Sequence, residues 1–533
     1  MALTMTLLPI LVILLMLTVF KKPADISGIV GWLVIAVVSF FFFQTSVEVI
    51  LRATGAGFIR SFAVSLIVAA SLLQMAFMEK TGALKRIIIF IKSIAGKRSG
   101  AQIMMINIGF GTLMVAVGAT PVSILPPILV AMGYSTYVAI ALPAIGYDSL
   151  CTYALLGAPI VVFVDIANNF LKSKGQEISL SDAGMLFYWF LPVVSTLIGF
   201  CMLWIVGKWK GIKDGWIPCI ITGAVIAFVA YFTNHYDNLV VLTGVICGAA
   251  VIVAMAVYLK ATQGRLFDKS QLDPEELEYE HKYSLFIALT PWLLLVALIL
   301  ALNLPKVSFD FLYRTMRMPI NGLSPDGKPL DTRLLWQAYT WIFISTFLSA
   351  VFIRPTGAQI KETFAVWFKR APRPVFSAAI FFAIGEVMNM SGYSMAAKDF
   401  TTPSMVNVLA NTSADFFHNA YGAVVAFIGL FGGFLSGSEA STVAMFGKYT
   451  LTTADTLGMP IDGLILITAG LAFGGGLASV ISPAKLQNAA AAIDRIGEES
   501  KVIRIALVFS IILTAVTSAF LVSLLYFRGI VTV

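Results

Sequence analysis

Residues 429–500 read GLFGGFLSGSEASTVAMFGKYTLTTADTLGMPIDGLILITAGLAFGGGLASVISPAKLQNAAAAIDRIGEES. Two apolar runs in this neighbourhood are broken by glycine and by polar side chains. The first, 427–435, opens into Ser436, Gly437, Ser438, Glu439, Ser441 and Thr442. The second, 464–481, passes through Gly470, Gly474, Gly475 and Gly476 and stops at Ser482-Pro483. In hydrocarbon every unpaired peptide group costs several kcal/mol, so irregular backbone at membrane depth occurs only where it lines a cavity or is enclosed by protein. A pair of interrupted segments therefore points to a solute site in a carrier.

The composition agrees with a membrane setting. Of 533 residues, 59% are hydrophobic and 12% charged, whereas a soluble domain carries about 25% charged residues. The 42 glycines and 40 phenylalanines suit close helix packing and a lipid-facing surface. A net charge of +8 is explained by basic cytoplasmic loops and leaves no nucleic-acid surface to expect. Cys151, Cys201, Cys219 and Cys247 lie in or beside apolar runs without CxxC spacing and read as small buried hydrophobes. The apolar run 5–20 lacks a preceding basic residue and a small-residue cleavage site, and is read as a retained first helix.

Runs of about 20 apolar residues span a bilayer. They fall at 3–20, 26–43, 58–78, 101–119, 137–163, 185–206, 216–233, 238–259, 284–303, 336–353, 375–391, 420–435, 461–481 and 503–526. The expected fold is all-α, a polytopic helical membrane transporter of about 12 to 14 helices. The shorter run 121–131, with Pro126-Pro127, reads as a half-helix. Basic clusters after the first span (Lys21, Lys22), after the third (Lys80 to Arg98), at Lys208 to Lys213, at Lys260 to Lys282 and at Arg354 to Arg373 mark the cytoplasmic side. Three full spans separate Arg98 from Lys208, and three separate Arg373 from Lys485. Both odd numbers resolve if one apolar segment in each half enters and leaves on the same side. The coincidence predicts two related halves in an inverted repeat, 1–259 and 284–533, joined by a polar loop at 260–283. Two amphipathic pieces, 84–95 and 360–368, are expected in the interface plane, and the turn-rich loop 304–335 on the outer face.

An ionisable group inside a span is a functional candidate by default. Glu439 stands first: beside hydroxyls and after an apolar run, it suits an acid that takes up and releases a proton as access alternates. A structural hydrogen-bonded acid and a helix cap are the competing readings. Ser436, Ser438, Ser441 and Thr442 suit hydrogen bonds to a small polar solute, with capping and helix packing as the alternative. Ser482 and Lys485 follow the triple glycine; Lys485 is placed to neutralise a solute carboxylate, or else serves as a positive-inside residue. In the first half 106–127, INIGFGTLMVAVGATPVSILPP, is a second discontinuous helix, with Thr112, Thr120 and Ser123 as site candidates. Its GxG is no dinucleotide fingerprint, since no strand precedes it. Asp148 is open to pairing with a lysine of the other half, to titration, or to capping a break near Gly146. Asp165 and His418 read as interfacial. No Walker A, HExxH or GxSxG constellation occurs, so nucleotide-driven transport, metal or cofactor binding and enzyme activity are not expected.

The segments GGFLSGSEASTVAMFGKY (432–449), GLAFGGGLASVISPAKLQNAAAAIDRIGEES (470–500) and GYSTYVAIALPAIGYDSLCTYALLGAPI (133–160) resemble the L-lactate permease family of bacterial and archaeal carriers. The resemblance covers nearly the whole chain and is most specific at the C-terminal end. It implies proton-coupled uptake of lactate and related 2-hydroxy monocarboxylates such as glycolate, as a multi-pass protein of the plasma membrane. The family's G-S-[DE]-x-S-x motif falls on 437–442, and its ISPQ-like segment on 481–484. Two departures stand out. Where the family carries an acidic EGAAGFGAP-like segment, this chain has VAVGATP (115–121); and Lys485 stands where the family has uncharged polar groups. The local charge moves toward positive, which still suits an organic anion. The expected partners are a small organic monocarboxylate, a coupling proton and membrane lipid, with a homodimer open as the assembly state. The alternative is a carrier, exchanger or channel for another small organic anion, with sodium as a second coupling ion.

Overall fold

The computed structural model describes residues 1–20, 22–94, 99–482 and 499–531, together with residues 485, 486, 489, 490, 492, 493 and 495. Lys21, Arg98 and Pro483, named above, lie outside the described residues, as does position 484 of the ISPQ-like segment. Among the described residues nine helices are long and apolar enough to cross a membrane, and five shorter apolar helices accompany them. Among the described residues strand is confined to two short antiparallel ladders, Pro319–Ile320 with Leu330–Asp331 and Tyr393–Ser394 with Asp399–Phe400. The chain is therefore a polytopic all-α membrane protein.

Four kinds of element position the site. In the first half the long helix Phe62–Lys80 is followed by the amphipathic helix Ala83–Lys92, then by a short hairpin, Gly111–Ala116 and Pro121–Ala131. A broken helix comes next, Thr136–Gly146 and Ala154–Leu171, with a tight helical stretch at Tyr147–Tyr153 between its arms. The run 137–163, one span by hydropathy, is thus divided. Later in the chain the helices Pro372–Met390 and Met405–Phe417 precede a second hairpin, Tyr421–Ser436 and Glu439–Thr456. A further helix, Ile461–Leu477, then gives way to a short turn at Ser479–Ile481.

Both arms of the second hairpin lie side by side. A side chain built at Gly432 would meet Thr442 and Phe446, and the rings of Tyr421 and Tyr449, near its open end, are 6.2 Å apart. The hairpin is seated on Ile461–Leu477 by backbone contact. A Cβ on Gly433 would lie 2.1 Å from the Gly475 carbonyl oxygen, and one on Gly474 only 1.9 Å from that of Ala426. Any larger residue there would separate the two helices, as small residues at membrane helix contacts allow backbones to approach. At Gly111 in the first hairpin the fit is looser, since a Cβ there would meet nothing closer than Tyr147 Cβ at 3.7 Å, although a Cβ on Gly248 would lie 2.8 Å from the Leu113 nitrogen of the same arm.

Charged layers cap the two ends of the bundle. At one end Lys80 faces Glu362 at 3.6 Å and Glu79 faces Arg370 at 2.7 Å. There the polar segment 260–283 folds back on Ala83–Lys92 through Lys92–Glu276 (2.6 Å), Lys85–Glu275 (2.8 Å) and Arg86–Glu280 (3.4 Å). Phe62, at the other end of Phe62–Lys80, is 18 residues or about 27 Å away from Lys80 along the axis. At that opposite end the loop 304–335 is fastened by Arg333 to Asp165 (2.9 Å) and by Arg314 to Asp237 (3.2 Å).

Candidate functional site

The break in the first broken helix has local causes. Ser135 caps the first arm, accepting from the Val138 N–H. At its far end Gly146 fits against Asn107, whose Cβ would be 2.7 Å from any side chain there. Beyond it Leu150 leaves helical geometry (φ −132°, ψ 33°), and Leu155, Leu156 and Gly157 all lie in the left-handed region at φ 52°, 53° and 75°. Two leucines so placed cost roughly 1–2 kcal/mol each. Such strain persists where surrounding structure imposes it, and it concentrates at functional sites.

The second hairpin turns at Gly437 (φ 68°), which ends the first arm. Ser438 caps the second arm by accepting from the Ser441 N–H at 3.4 Å. Ser436 donates to the Ser438 carbonyl at 2.9 Å and lies 3.3 Å from the Thr442 hydroxyl, which donates to the same carbonyl. With the cap supplied by Ser438, the Glu439 side chain is released for another purpose. Gly437 sits on the break that follows Ile461–Leu477, since a side chain there would be 3.0 Å from Ser482 Oγ.

The two breaks meet. Thr152, in the first, donates its hydroxyl to Glu439 Oε1 at 2.7 Å. Glu439 is only 2% exposed, and its other oxygen, Oε2, is buried with no hydrogen-bond partner. Gly476 closes the far side: a Cβ there would stand 2.8 Å from Oε2 and 3.3 Å from Cys151 Cβ. Beside this group Lys485 donates to the Tyr147 hydroxyl at 2.5 Å, with its ammonium 5.1 Å from the centre of the same ring. A carboxylate, hydroxyls, an ammonium and strained backbone thus converge from both halves of the chain.

Of the residues singled out by sequence, Glu439, Ser436, Ser438, Ser441, Thr442, Ser482 and Lys485 fall at this junction. Asp148 is buried in the first break, beside Tyr147. Thr112 is fully buried in the first hairpin, and its hydroxyl has no partner. Thr120 and Ser123 are exposed at the start of the arm Pro121–Ala131, and among the described residues no hydrogen bond joins their side chains to the Glu439 group. Asp165 is tied to Arg333, and His418 is exposed in a short turn. Thr152 escaped the sequence reading. Its signal was the polar cluster 147–153 inside one apolar run, which hydropathy alone averages away.

A cavity of about 550 Å³ opens at the end of the bundle opposite the 260–283 clamp. Its lining includes Arg60, Asp165, Arg333, Glu386, Asn389 and Lys448. It also reaches Ala444, five residues and about 7.5 Å along the same helix from Glu439. The cavity therefore leads down toward the junction from one side.

Comparison with known proteins gives the family. The sequence pattern of the family described as L-lactate permease matches residues 2–527. The chain belongs to the L-lactate permease family. Within curated members, the glycolate permease GlcA of Escherichia coli (strain K12) is 24% identical, over 96% of this chain and 93% of its own length. An L-lactate permease of Salmonella typhi is 23% identical over 95% of this chain and 93% of its own. The L-lactate permease of Escherichia coli (strain K12) is 22% identical over 78% of this chain and 76% of its own. Membership of this family makes the chain a multi-pass membrane permease.

Proposed function

We propose that this protein is a secondary carrier of L-lactate or a related small 2-hydroxy monocarboxylate, glycolate-like, across the plasma membrane, with a proton as the coupling ion. The observation that carries this reading is the buried Glu439 carboxyl held by Thr152, with one oxygen unpartnered, where the two breaks touch. Buried polar atoms are nearly always satisfied, so an orphaned oxygen marks a place for a proton or a solute. Lys485 and Tyr147 offer an ammonium and a phenol to the solute carboxylate. The hydroxyls of Ser436, Ser438, Ser441, Thr442, Ser482 and Thr112 offer partners to its 2-hydroxyl. Thr120 and Ser123 would join them from the first hairpin as it approaches in another state of the cycle. Asp148, close to Lys485 and Glu439, is the second acid of the coupling path.

Element order supports an inverted repeat. Phe62–Lys80, Ala83–Lys92, the first hairpin and the first broken helix correspond in sequence order to Pro372–Met390, Met405–Phe417, the second hairpin and the helix Ile461–Leu477 with the turn that follows it. The boundary between halves 1–259 and 284–533 then falls in 260–283. Hydropathy pairs 84–95 with 360–368; the element order pairs Ala83–Lys92 with Met405–Phe417 instead. In such a repeat the two hairpins would enter from opposite faces, an arrangement that suits alternating access around a fixed central site.

The test is uptake of radiolabelled L-lactate and glycolate into proteoliposomes under an imposed proton gradient, with a sodium gradient in parallel. Uphill accumulation driven by protons is the expected result. The acid-free VAVGATP segment at 115–121 favours a second reading, a different small organic anion with sodium coupling. Accumulation of another two- to four-carbon carboxylate under the sodium gradient alone would select it. Flux without uphill accumulation would make the protein a channel.

A further inference from the structure

The cavity that leads to Glu439 has chemistry of its own. At its deeper end Arg60, the last residue of the helix Val47–Arg60, faces Glu386 on Pro372–Met390. Their charged groups are 3.7 Å apart, an ion pair too long for a hydrogen bond. The Arg60 Nε is buried without a partner. Lys448 lines the same space from the second hairpin, and no carboxylate of the described residues comes within ion-pair distance of its ammonium. Glu386, Arg60, Lys328 and Asp326 are among the charged groups near Lys448. Lys328 and Asp326 face one another at 3.4 Å. Locally, two cations, Arg60 and Lys448, thus stand near the single carboxylate of Glu386.

Asn389, one turn beyond Glu386, is 8% exposed, lines the cavity, and has a buried side-chain oxygen without a partner. An amide is a donor and an acceptor at once, so it can serve a hydroxyl or a carboxylate oxygen. Phe382, Ile166 and Ala444 supply apolar wall beside these groups. Two cations, an unsatisfied amide and a small apolar surface match the groups of a 2-hydroxy carboxylate: a carboxylate, a hydroxyl and a short hydrocarbon.

We propose that Arg60, Lys448 and Asn389 form a second anion site in the vestibule, which takes a small 2-hydroxy carboxylate from the outer solution and delivers it toward Glu439. Lys448 is nine residues and about 13 Å along its helix from Glu439, so this site is separate from the central one and lies on its path. The basic clamp at the opposite end of the bundle puts the vestibule on the outer face by the positive-inside rule. A loose Arg60–Glu386 pair can release its guanidinium to the incoming anion at small cost, because little hydrogen bonding is lost.

The site rests on the reading of this chain as a carrier of 2-hydroxy carboxylates. It is tested in right-side-out membrane vesicles holding the full chain, by initial rates of radiolabelled L-lactate and glycolate uptake per amount of inserted protein. Lys448→Met and Arg60→Gln are each expected to raise the outer KM about tenfold or more, with Vmax changed less than twofold. The KM for efflux from the inner face should not move. Lys448→Arg, which keeps the charge, should stay within threefold of wild type in outer KM. Wild-type uptake with outer KM unchanged in both charge-removing variants would overturn the vestibule site alone, as would an equal rise at the inner face. Wild-type vesicles that carry neither L-lactate nor glycolate would overturn the carrier reading, and the proposed ligand class with it.

Discussion

The hairpin at 111–131 and the hairpin at 421–456 turn on a left-handed glycine, Gly118 (φ 90°) and Gly437 (φ 68°) respectively. Only the second holds a carboxylate at its tip. Its arms and the helix beneath it touch backbone to backbone, whereas the first hairpin leaves room at Gly111 and holds an idle hydroxyl at Thr112. The first half compensates through its broken helix, which brings Thr152 to the acid of the other half. In the proposed carrier, coupling and recognition would then be divided unequally between the two halves. One half carries the acid on a tightly seated tip; the other carries its hydrogen-bond donor on a strained break.

The largest expected effect separates the two hairpins by packing. Gly433→Ala pushes a methyl into the Gly475 carbonyl and should cost about 3 kcal/mol of stability, read as a lowered thermal midpoint in detergent. Gly111→Ala should be neutral or stabilising by up to about 1 kcal/mol. Equal losses at both positions would remove the asymmetry. Next, Thr152→Val deletes the donor to Glu439 while keeping the side-chain shape. A hydrogen bond to a charged group contributes about 1.5–3 kcal/mol, so uptake kcat/KM should fall by about 10- to 100-fold.

Thr112→Val asks whether the first hairpin meets the solute at all. Its hydroxyl has no partner to lose in this state, so the thermal midpoint should stay where it is. If the hydroxyl serves the solute, KM rises by about two- to tenfold, the size of a neutral hydrogen bond; an unchanged KM would confine recognition to the second hairpin and the breaks. The smallest effect concerns the clamp between the halves. Lys92→Met removes a mostly buried partner of Glu276 and should cost about 1–2 kcal/mol, between the exposed and buried cases. Lys85→Met, at the exposed pair with Glu275, should leave the midpoint within error.

Much of this was legible in the residues. The broken segments at 436–442 and 470–482 announced themselves, since a lipid-spanning run has no reason to carry Gly-Ser-Glu-Ala-Ser-Thr or three consecutive glycines. The odd number of spans between basic loops asks for one segment in each half that enters and leaves on the same side, which the proposed repeat would supply. The break at 147–157 was hidden because its strain resides in Leu155 and Leu156, which look like ordinary helix formers. No local rule assigns φ near +52° to leucine; the surrounding helices impose it. Thr152 was hidden for a related reason, because its partner is 287 positions away. The vestibule pairing of Arg60 with Glu386 was equally beyond reach of spacing or periodicity. Glu386 and Lys448 could be named as charges in apolar runs, but only the fold brings Arg60 and Asn389 to them.

The most direct test of the account is Glu439→Gln in proteoliposomes, comparing uptake under an imposed proton gradient with exchange of labelled for unlabelled L-lactate at equal pH on both sides. The amide keeps the size of the side chain and removes its ability to carry a proton. The account predicts that gradient-driven accumulation disappears while exchange persists. Accumulation at the wild-type level in Glu439→Gln would contradict it.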